Sequence, residues 1–185
     1  VEKTYAYLPI RNYGFNFVIQ ADFILVASRQ DVKIDSKWNQ YLKSQVANIF
    51  ANEALNKFKS NEKLGMTYLN YLENYESIED PFFEDLPNLI LTNLARHECL
   101  PIEGGGWGRP KSIRKATKEF QSLFPPIIAK NIFNFNYLDA RFEKNTKILK
   151  LLGVEEITEK DLVGVFKNHQ SWLEGQTSEW KAGLY

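Results

Sequence analysis

The segment VIQADFILVASRQDVKIDSKWNQYL (residues 18–42) decides the fold of the first part of this chain. Its apolar run ends in a short polar loop, residues 28–31, which leads toward a helix. Either Asp35 or Ser36 can cap that helix, because their side chains accept hydrogen bonds from the free backbone N–H groups of a first turn. We therefore expect a strand, a loop and a long helix that begins near Lys37.

The strand and the helix both extend beyond this segment. Apolar and polar residues alternate from Phe15 onward, so the strand is predicted over residues 15–26. After Lys37, apolar residues recur every three or four positions, which predicts a helix to about residue 59 with one buried face. That face is expected to contain Trp38, Tyr41, Leu42, Val46, Ile49, Phe50 and Phe58.

The polar run SNEK (residues 60–63) predicts a boundary between two parts of the chain. Residues 1–60 are expected to form the strand, the loop and the long helix, and residues 61–185 a mostly helical domain with one small β-hairpin. The fold class is therefore α+β. Within the second part, apolar periodicity and capping residues predict helices over residues 64–76, 82–97, 111–121, 141–152 and 158–184.

The glycine-rich segment LPIEGGGWGRPK (residues 100–111) is the source of the hairpin prediction. A phosphate-binding loop would need a buried parallel strand before it, and Pro110 stands where such a loop has glycine. We instead expect a short strand from Leu100, a turn at residues 103–106 and a return strand that begins at Trp107. Trp107 is expected to pack into the second domain.

Composition argues against several classes of function. The chain has 23 basic and 23 acidic residues, and this zero net charge disfavours a dedicated nucleic-acid-binding protein. Its one cysteine, Cys99, has no partner for an internal disulfide, which suits a reducing compartment and predicts a cytoplasmic protein. No apolar run has the length of a membrane-spanning helix, so no membrane partner is expected. His97 and Cys99 fall short of the ligand set of a structural zinc site, so no metal is expected.

Arg29 is the candidate functional residue of the first part. It follows a predicted buried strand in a short loop, so rigid elements would hold a guanidinium that can contact a phosphate through two N–H groups. The alternative is structural, because Arg29 could cap the strand end or pair with Asp31 or Asp35. The residues alone leave both interpretations open.

Residues 18–42 resemble a stretch of the sacsin and NO VEIN group of proteins. That group is related to the ninety-kilodalton heat-shock chaperones, and all belong to the ATPase superfamily that includes gyrase, histidine kinases and MutL. The segments LPIEGGGWGRP (100–110), ILKLLGVEEITEKDL (148–162) and SEWKAGLY (178–185) are similar to further stretches of the group, in the same order. The resemblance covers nearly the whole chain but includes no nucleotide pocket.

The resemblance implies a role for Arg29. In the chaperones, a middle-domain (transducer) strand leads to a Ser-Arg-Glu loop and a long helix, and the arginine reaches the γ-phosphate of ATP on the N-terminal domain. Arg29 matches that arginine by position, with Ser28 before it and Gln30 where the chaperones have glutamate. Val26 also departs from the chaperone pattern, which has asparagine there. The implied ATP-contacting residues are Ser28, Arg29 and Gln30, and residues 1–60 would be the C-terminal part of a middle domain.

The implied function is that of a coupling segment in a heat-shock-chaperone-like ATPase. ATP and Mg would be bound by an upstream nucleotide-binding domain that this chain lacks. We therefore expect the isolated chain not to be an enzyme and the full-length parent to be an ATPase, and we interpret both chain ends as cuts in a longer polypeptide. The implied partners are that upstream domain, a protein client and, in the parent, a second copy in a dimer.

Two other functions are considered from the sequence. In the first, the chain is a non-catalytic protein-interaction scaffold whose aromatic surface binds another protein, and the Arg29 loop is structural. In the second, the chain is a nucleic-acid-associated segment that uses a basic helical face, which the neutral net charge disfavours. That face would comprise Arg109, Lys111, Arg114, Lys115 and Lys118.

Overall fold

The computed structural model describes residues 2–73, 78–142, 144 and 146–183 of the chain. Contacts between Cα atoms divide the chain into two compact units. The predicted α+β class is confirmed, because small sheets and several helices occur together. Unit 1 comprises Val1–His97 with Lys144–Leu152, and unit 2 comprises Glu98–Glu143 with Gly153–Tyr185.

Short strands and helices alternate along the chain. The strands are β1 (Lys3–Ala6), β2 (Leu8–Asn12), β3 (Ile19–Gln20), β4 (Leu100–Pro101), β5 (Trp107–Gly108), β6 (Ile113–Lys115), β7 (Asn136–Tyr137) and β8 (Glu155–Glu156). The α-helices are α1 (Lys37–Ile49), α2 (Leu55–Lys59), α3 (Glu62–Gly65), α4 (Leu86–Leu94), α5 (Lys118–Leu123), α6 (Pro126–Phe133), α7 (Thr146–Leu152), α8 (Glu159–Asn168), α9 (Gln170–Glu174) and α10 (Ser178–Ala182). A π-helical turn, Phe50–Ala54, joins α1 to α2, and 3-10 turns lie at Tyr68–Leu72, Pro110–Ser112 and Ala140–Phe142.

The sheet of unit 1 has the strand order β2-β1-β3. The central strand β1 pairs antiparallel with β2 and parallel with β3. Between β1 and β2 the chain reverses at Tyr7, whose φ of 60° lies in the left-handed region. This tight reversal leaves the Tyr7 side chain at the tip of the β1–β2 hairpin, where it is 80% exposed.

The predicted strand over residues 15–26 is wrong in extent, because only Ile19–Gln20 joins a sheet. Apolar residues of the segment instead fill a core of aromatic rings in unit 1. The rings of Phe15 and Phe23 lie 5.5 and 5.8 Å from the ring of the buried Phe83. Edge-to-face packing of rings decides the path of the chain here, and local alternation of apolar residues does not reveal it.

The predicted long helix is confirmed in extent but not in its buried face. α1, the π-helical turn and α2 follow one another without a break from Lys37 to Lys59. Trp38 and Tyr41, which were expected inside, are 48% and 53% exposed. The buried positions are Asn39, Lys43, Ala47, Phe50, Ala51 and Leu55.

Polar partners explain why the helix buries residues that periodicity placed outside. Lys43 is 6% exposed, and its Nζ donates to the Phe82 carbonyl at 2.8 Å and to the Asp85 carboxylate at 2.7 Å. The same ammonium lies 4.8 Å from the centroid of the Phe82 ring. A buried charge is tolerated when it is paired and hydrogen-bonded in this way. These contacts hold α1 against the chain that precedes α4.

The division between the units lies later in the chain than the boundary predicted at residues 60–63. The chain does turn there, between α2 and α3. However, the ring of Phe58 stacks on those of Tyr68 and Tyr71, with centroids 5.5 and 5.6 Å apart, so both sides of the turn belong to unit 1. The assignment of residues 1–60 to the end of a transducer domain stays a prediction.

Unit 2 contains the predicted hairpin and a parallel sheet that was not predicted. β4 pairs antiparallel with β5, and Gly104, Gly105 and Gly106 in the turn between them all have positive φ. β6 lies between β7 and β8 and is parallel to both. Strands of two or three residues are too short to show periodicity, so the sequence carried no signal for this sheet.

Helix boundaries also differ from expectation. The helix predicted over residues 111–121 begins only at Lys118, because Ile113–Lys115 forms β6. The helix predicted over 158–184 is divided into α8, α9 and α10, and α6 was not predicted. The helix predicted over 64–76 reduces to the end of α3 and a 3-10 turn. Parts of the predicted helices lie outside the described residues, at positions 74–76, 143, 145 and 184.

Trp107 provides a test of the hairpin in unit 2. Its side chain is half-buried, opposite Pro101 in the β4–β5 pair. Trp107→Ala is expected to lower the free energy of unfolding by about 2 kcal/mol, because apolar area returns to water and a void replaces the ring. Chemical denaturation of the purified chain measures the change, and Trp107→Phe should recover part of it. An unchanged midpoint would contradict a packed Trp107.

Candidate functional site at the Arg29 turn

Arg29 lies at the tip of a narrow turn in unit 1. Leu25 and Val32 form an antiparallel bridge at its base, and the Val26 N–H donates to the Asp31 carbonyl at 3.0 Å. At the tip, the Arg29 N–H donates to the Val26 carbonyl at 2.8 Å. The φ of Arg29 is 57°, a left-handed value that is uncommon for residues other than glycine. The turn presents the Arg29 side chain at the surface, where it is exposed.

Asn39, on the first turn of α1, fastens the two sides of the Arg29 turn. Its side chain is fully buried at 0% exposure. The side-chain oxygen accepts from the Ile24 N–H, and the amide nitrogen donates to the carbonyls of Ile24 and Lys33, each at 2.8 Å. A single amide thus bonds both chains of the turn, which holds them at a fixed separation.

Three further side chains at the start of α1 hold the segments beside the turn. Ser36, rather than Asp35, caps the helix, and its hydroxyl accepts from the Asn39 N–H at 3.3 Å. Trp38 Nε1 donates to the Asp22 carbonyl at 2.9 Å. Gln40 Nε2 donates to the Ile34 carbonyl at 3.0 Å. The helix N-terminus therefore acts as a rigid base for the Arg29 turn.

The two carboxylates that could have paired with Arg29 pair with other residues. Asp31 lies 3.2 Å from Arg11 Nε, and Asp35 lies 3.9 Å from Lys33 Nζ. Within the part of the chain that the structure describes, the Arg29 guanidinium has no ion pair and no hydrogen bond. The structural alternative, in which Arg29 pairs with Asp31 or Asp35, is therefore not what the structure contains.

Further donors keep Asp31 engaged away from Arg29. The Tyr13 hydroxyl donates to Asp31 at 2.9 Å, and burial together with this bond raises the pKa of Tyr13, so the phenol remains a donor. Arg11, which pairs with Asp31, also bonds Asp80 and lies 4.7 Å from the centroid of the Tyr13 ring. This network occupies the Asp31 carboxylate, so no carboxylate among the described residues neutralises Arg29.

The Arg29 turn lies between two clefts of unit 1. Arg29 lines one of about 490 Å³, together with the hairpin tip at Tyr7. Ser28 and Gln30 line the other, of about 810 Å³, together with Arg11. The Gln30 N–H also donates to Ser28 Oγ at 3.4 Å. Arg29 thus lines one cleft and its two neighbours line the other, and their contact with ATP stays a prediction.

The chain is similar in sequence to Protein NO VEIN of Arabidopsis thaliana. The two are 32% identical over 176 residues, which cover 90% of this chain and 6% of the length of that protein. The predicted NO VEIN-like relation is therefore confirmed. No protein-family profile matches the chain, and no solved structure does. The predicted relation to sacsin, to the heat-shock chaperones and to their ATPase superfamily stays a prediction.

The basic residues considered for nucleic acid do not share one helical face. Arg114 and Lys115 belong to β6, and Lys111 to a 3-10 turn. Arg114 lies 3.3 Å from Glu155, and its guanidinium lies 5.9 Å from the centroid of the Phe135 ring. An arginine paired with a carboxylate in this way is less available to a phosphate backbone.

Neither a metal cluster nor a membrane-spanning helix occurs among the described residues. No group of three or more histidine, cysteine, aspartate or glutamate side chains among the described residues could hold a metal ion. No helix in the described ranges is long and apolar enough to cross a membrane.

Asn39 and Tyr7 were not recognised from the sequence as parts of this site. Asn39 carried a weak signal, because a side-chain amide in the first turn of a helix can reach the loop before it. Tyr7 carried none, because only the chain reversal between β1 and β2 places it near Arg29.

Proposed function

We propose that this chain is a coupling segment of a larger ATPase, in which Arg29 contacts the γ-phosphate of ATP held by another domain. The observation that carries the proposal is the exposed guanidinium, which has no counter-ion among the described residues and stands on a turn fastened by Asn39. An arginine held in this way can bind a phosphate without first breaking an internal ion pair.

The nucleotide itself belongs to the other domain in this proposal. That domain would hold ATP and Mg, while Arg29 adds positive charge where negative charge redistributes during phosphoryl transfer. The upstream nucleotide-binding domain is thus the principal partner. A protein client and a dimer of the parent follow from the resemblance to the chaperones and are proposed with it. A cytoplasmic location, which the single cysteine favours, is proposed as well.

ATP assays on two proteins test this proposal. The isolated chain is expected neither to bind nor to hydrolyse ATP, and titration calorimetry with Mg-ATP and a phosphate-release assay measure both. In the same assays, the full-length protein that contains this chain is expected to bind and hydrolyse ATP. Micromolar binding by the isolated chain, or a full-length protein without turnover, would contradict the proposal.

A second candidate function is a protein-interaction scaffold, and an observation on α1 favours it. The rings of Trp38 and Tyr41 are about half exposed and lie 5.7 Å apart on the outer face of the helix. Exposed aromatic pairs are common in the centres of protein interfaces. In this case Tyr41→Ser should weaken the complex without changing ATP turnover. The coupling function instead predicts that ATP turnover falls when Arg29 is replaced.

A further inference from the structure

The hairpin tip at Tyr7 and the turn at Arg29 are the two sides of one cleft. β1, which leads into the hairpin tip, lies beside β3, and the Ala21 N–H donates to the Tyr5 carbonyl at 3.2 Å just beyond the paired strands. The segments that continue from these strands end in the two turns and line the cleft of about 490 Å³ between them.

The lining of this cleft carries one charge. Arg29 provides it, and that guanidinium has no counter-ion among the described residues. Tyr7 and Leu8, at the hairpin tip, are 80% and 70% exposed. The remaining lining residues are all uncharged: Ala6, Pro9, Ile10, Phe23, Leu25, Val26 and Ala27. An apolar wall beside an unneutralised cation fits a partner that offers an apolar side chain next to an anion.

Both sides of the cleft hold a residue in an unfavourable backbone conformation. Among the described residues, the non-glycine positions with left-handed φ are Tyr7 at 60°, Arg29 at 57° and Asn134 at 57°. Asparagine tolerates this region, whereas tyrosine and arginine adopt it at a cost in free energy. The side chains of Tyr7 and Arg29 therefore stand at positions where glycine or asparagine would fold more easily, which points to a role outside folding.

We propose that Tyr7, Leu8 and Arg29 form one docking surface for the domain that carries the nucleotide. That domain inserts an apolar side chain between the two turns, while its bound phosphate meets Arg29. The inference rests on the proposed function and adds the hairpin tip to it. Tyr7 and Leu8 are positioning residues, because they hold the partner so that Arg29 reaches the phosphate.

The test uses the full-length protein with the double substitution Tyr7→Asn and Leu8→Ser. Asparagine keeps the left-handed turn, so the hairpin still forms while both apolar side chains are lost. The control is Ile127→Ser in unit 2, an aliphatic residue that is 70% exposed. The measurements are ATP turnover and amide hydrogen exchange over residues 3–12 and 24–33, with and without a non-hydrolysable ATP analogue.

The analogue is expected to slow exchange at both turns in the wild type and in Ile127→Ser. The double variant should lose this protection at both turns, and its turnover should fall about tenfold, because the docked state is less populated once both apolar contacts are lost. Arg29→Asn should lower turnover but keep the analogue-induced protection around Tyr7. A merely structural role of the hairpin tip would not predict that protection.

Other results overturn the inference. If the double variant keeps wild-type turnover and protection while Arg29→Asn loses turnover, the docking surface is wrong and the proposed function stands. If Arg29→Asn keeps full turnover while the double variant loses protection at both turns, the proposed function fails and the hairpin tip is a docking site of another kind. If the isolated chain forms a dimer that the double variant abolishes, the cleft binds a second copy, and the inference fails.

Discussion

Replacing Arg29 in the full-length protein is expected to leave ATP binding nearly intact and to cut hydrolysis strongly. Both Arg29→Ala and Arg29→Asn remove the guanidinium, and Asn also suits the left-handed φ of 57°. The expected loss in turnover is about 10³-fold, the low end of what an arginine supplied from outside the nucleotide site contributes in phosphoryl transfer. Steady-state turnover and equilibrium binding of a fluorescent ATP analogue measure the two effects separately.

The physical reason lies in where the charge is needed. An interaction that strengthens as charge shifts in the transition state lowers the barrier and does little for ground-state affinity. Because Arg29 has no partner to leave among the described residues, none of that interaction is lost in breaking an ion pair. Arg29→Lys is expected to restore turnover only in part, since lysine supplies a point charge without the planar pair of donors.

Two controls separate a role in hydrolysis from a role in folding. Lys33→Ala removes another cation near the same turn, one that lies 3.9 Å from Asp35, and is expected to keep wild-type turnover. Thermal unfolding of each variant shows whether the turn is still folded. A destabilised Arg29→Asn protein with normal turnover would falsify the proposed role and make Arg29 a structural residue of the turn.

Asn39→Ala is expected to lower the stability of unit 1 strongly, because it removes a fully buried polar group. The substitution removes three hydrogen bonds, to the N–H and carbonyl of Ile24 and to the carbonyl of Lys33. At roughly 1 kcal/mol each, the free energy of unfolding should fall by about 3 kcal/mol. Thermal denaturation of the isolated chain should show a midpoint lower by about 10 °C.

Asn48→Ala is the matched control for Asn39, because it replaces an exposed asparagine of the same helix. It should leave the midpoint unchanged or raise it slightly, since alanine favours the helix more than asparagine does. Asn39→Asp keeps the acceptor for the Ile24 N–H but loses both donors and introduces a charge at a fully buried position. It should destabilise the chain at least as much as Asn39→Ala.

The Asn39 variants also connect the fold to the proposed function. If Asn39 holds the turn that presents Arg29, the full-length Asn39→Ala protein should lose turnover even at temperatures where it is folded. Hydrogen exchange over residues 24–33 should be faster in this variant, because the two sides of the turn are no longer bonded through one amide. Unchanged exchange there would show that the bridge between Leu25 and Val32 holds the turn without Asn39.

Elements with local signals can be predicted from the amino-acid sequence. The long helix from Lys37 follows from three- and four-residue periodicity after a capping Ser36. The hairpin around residues 103–106 follows from three glycines between short apolar runs, and each of them has the positive φ that glycine adopts at little cost. The position of Arg29 in a short polar loop also made it a candidate functional residue, and its role stays a prediction.

Which faces are buried and which groups are paired depends on contacts that local sequence patterns do not contain. Asn39 and Lys43 are buried because distant backbone carbonyls and a carboxylate satisfy them, and a helical period does not contain those partners. Within the described ranges Arg29 has no ion pair, because Arg11, from the preceding hairpin, pairs with Asp31. Burial and pairing depend on contacts between residues far apart in the chain. Spacing within one segment could therefore predict the loop that contains Arg29, but not which carboxylates pair with other residues.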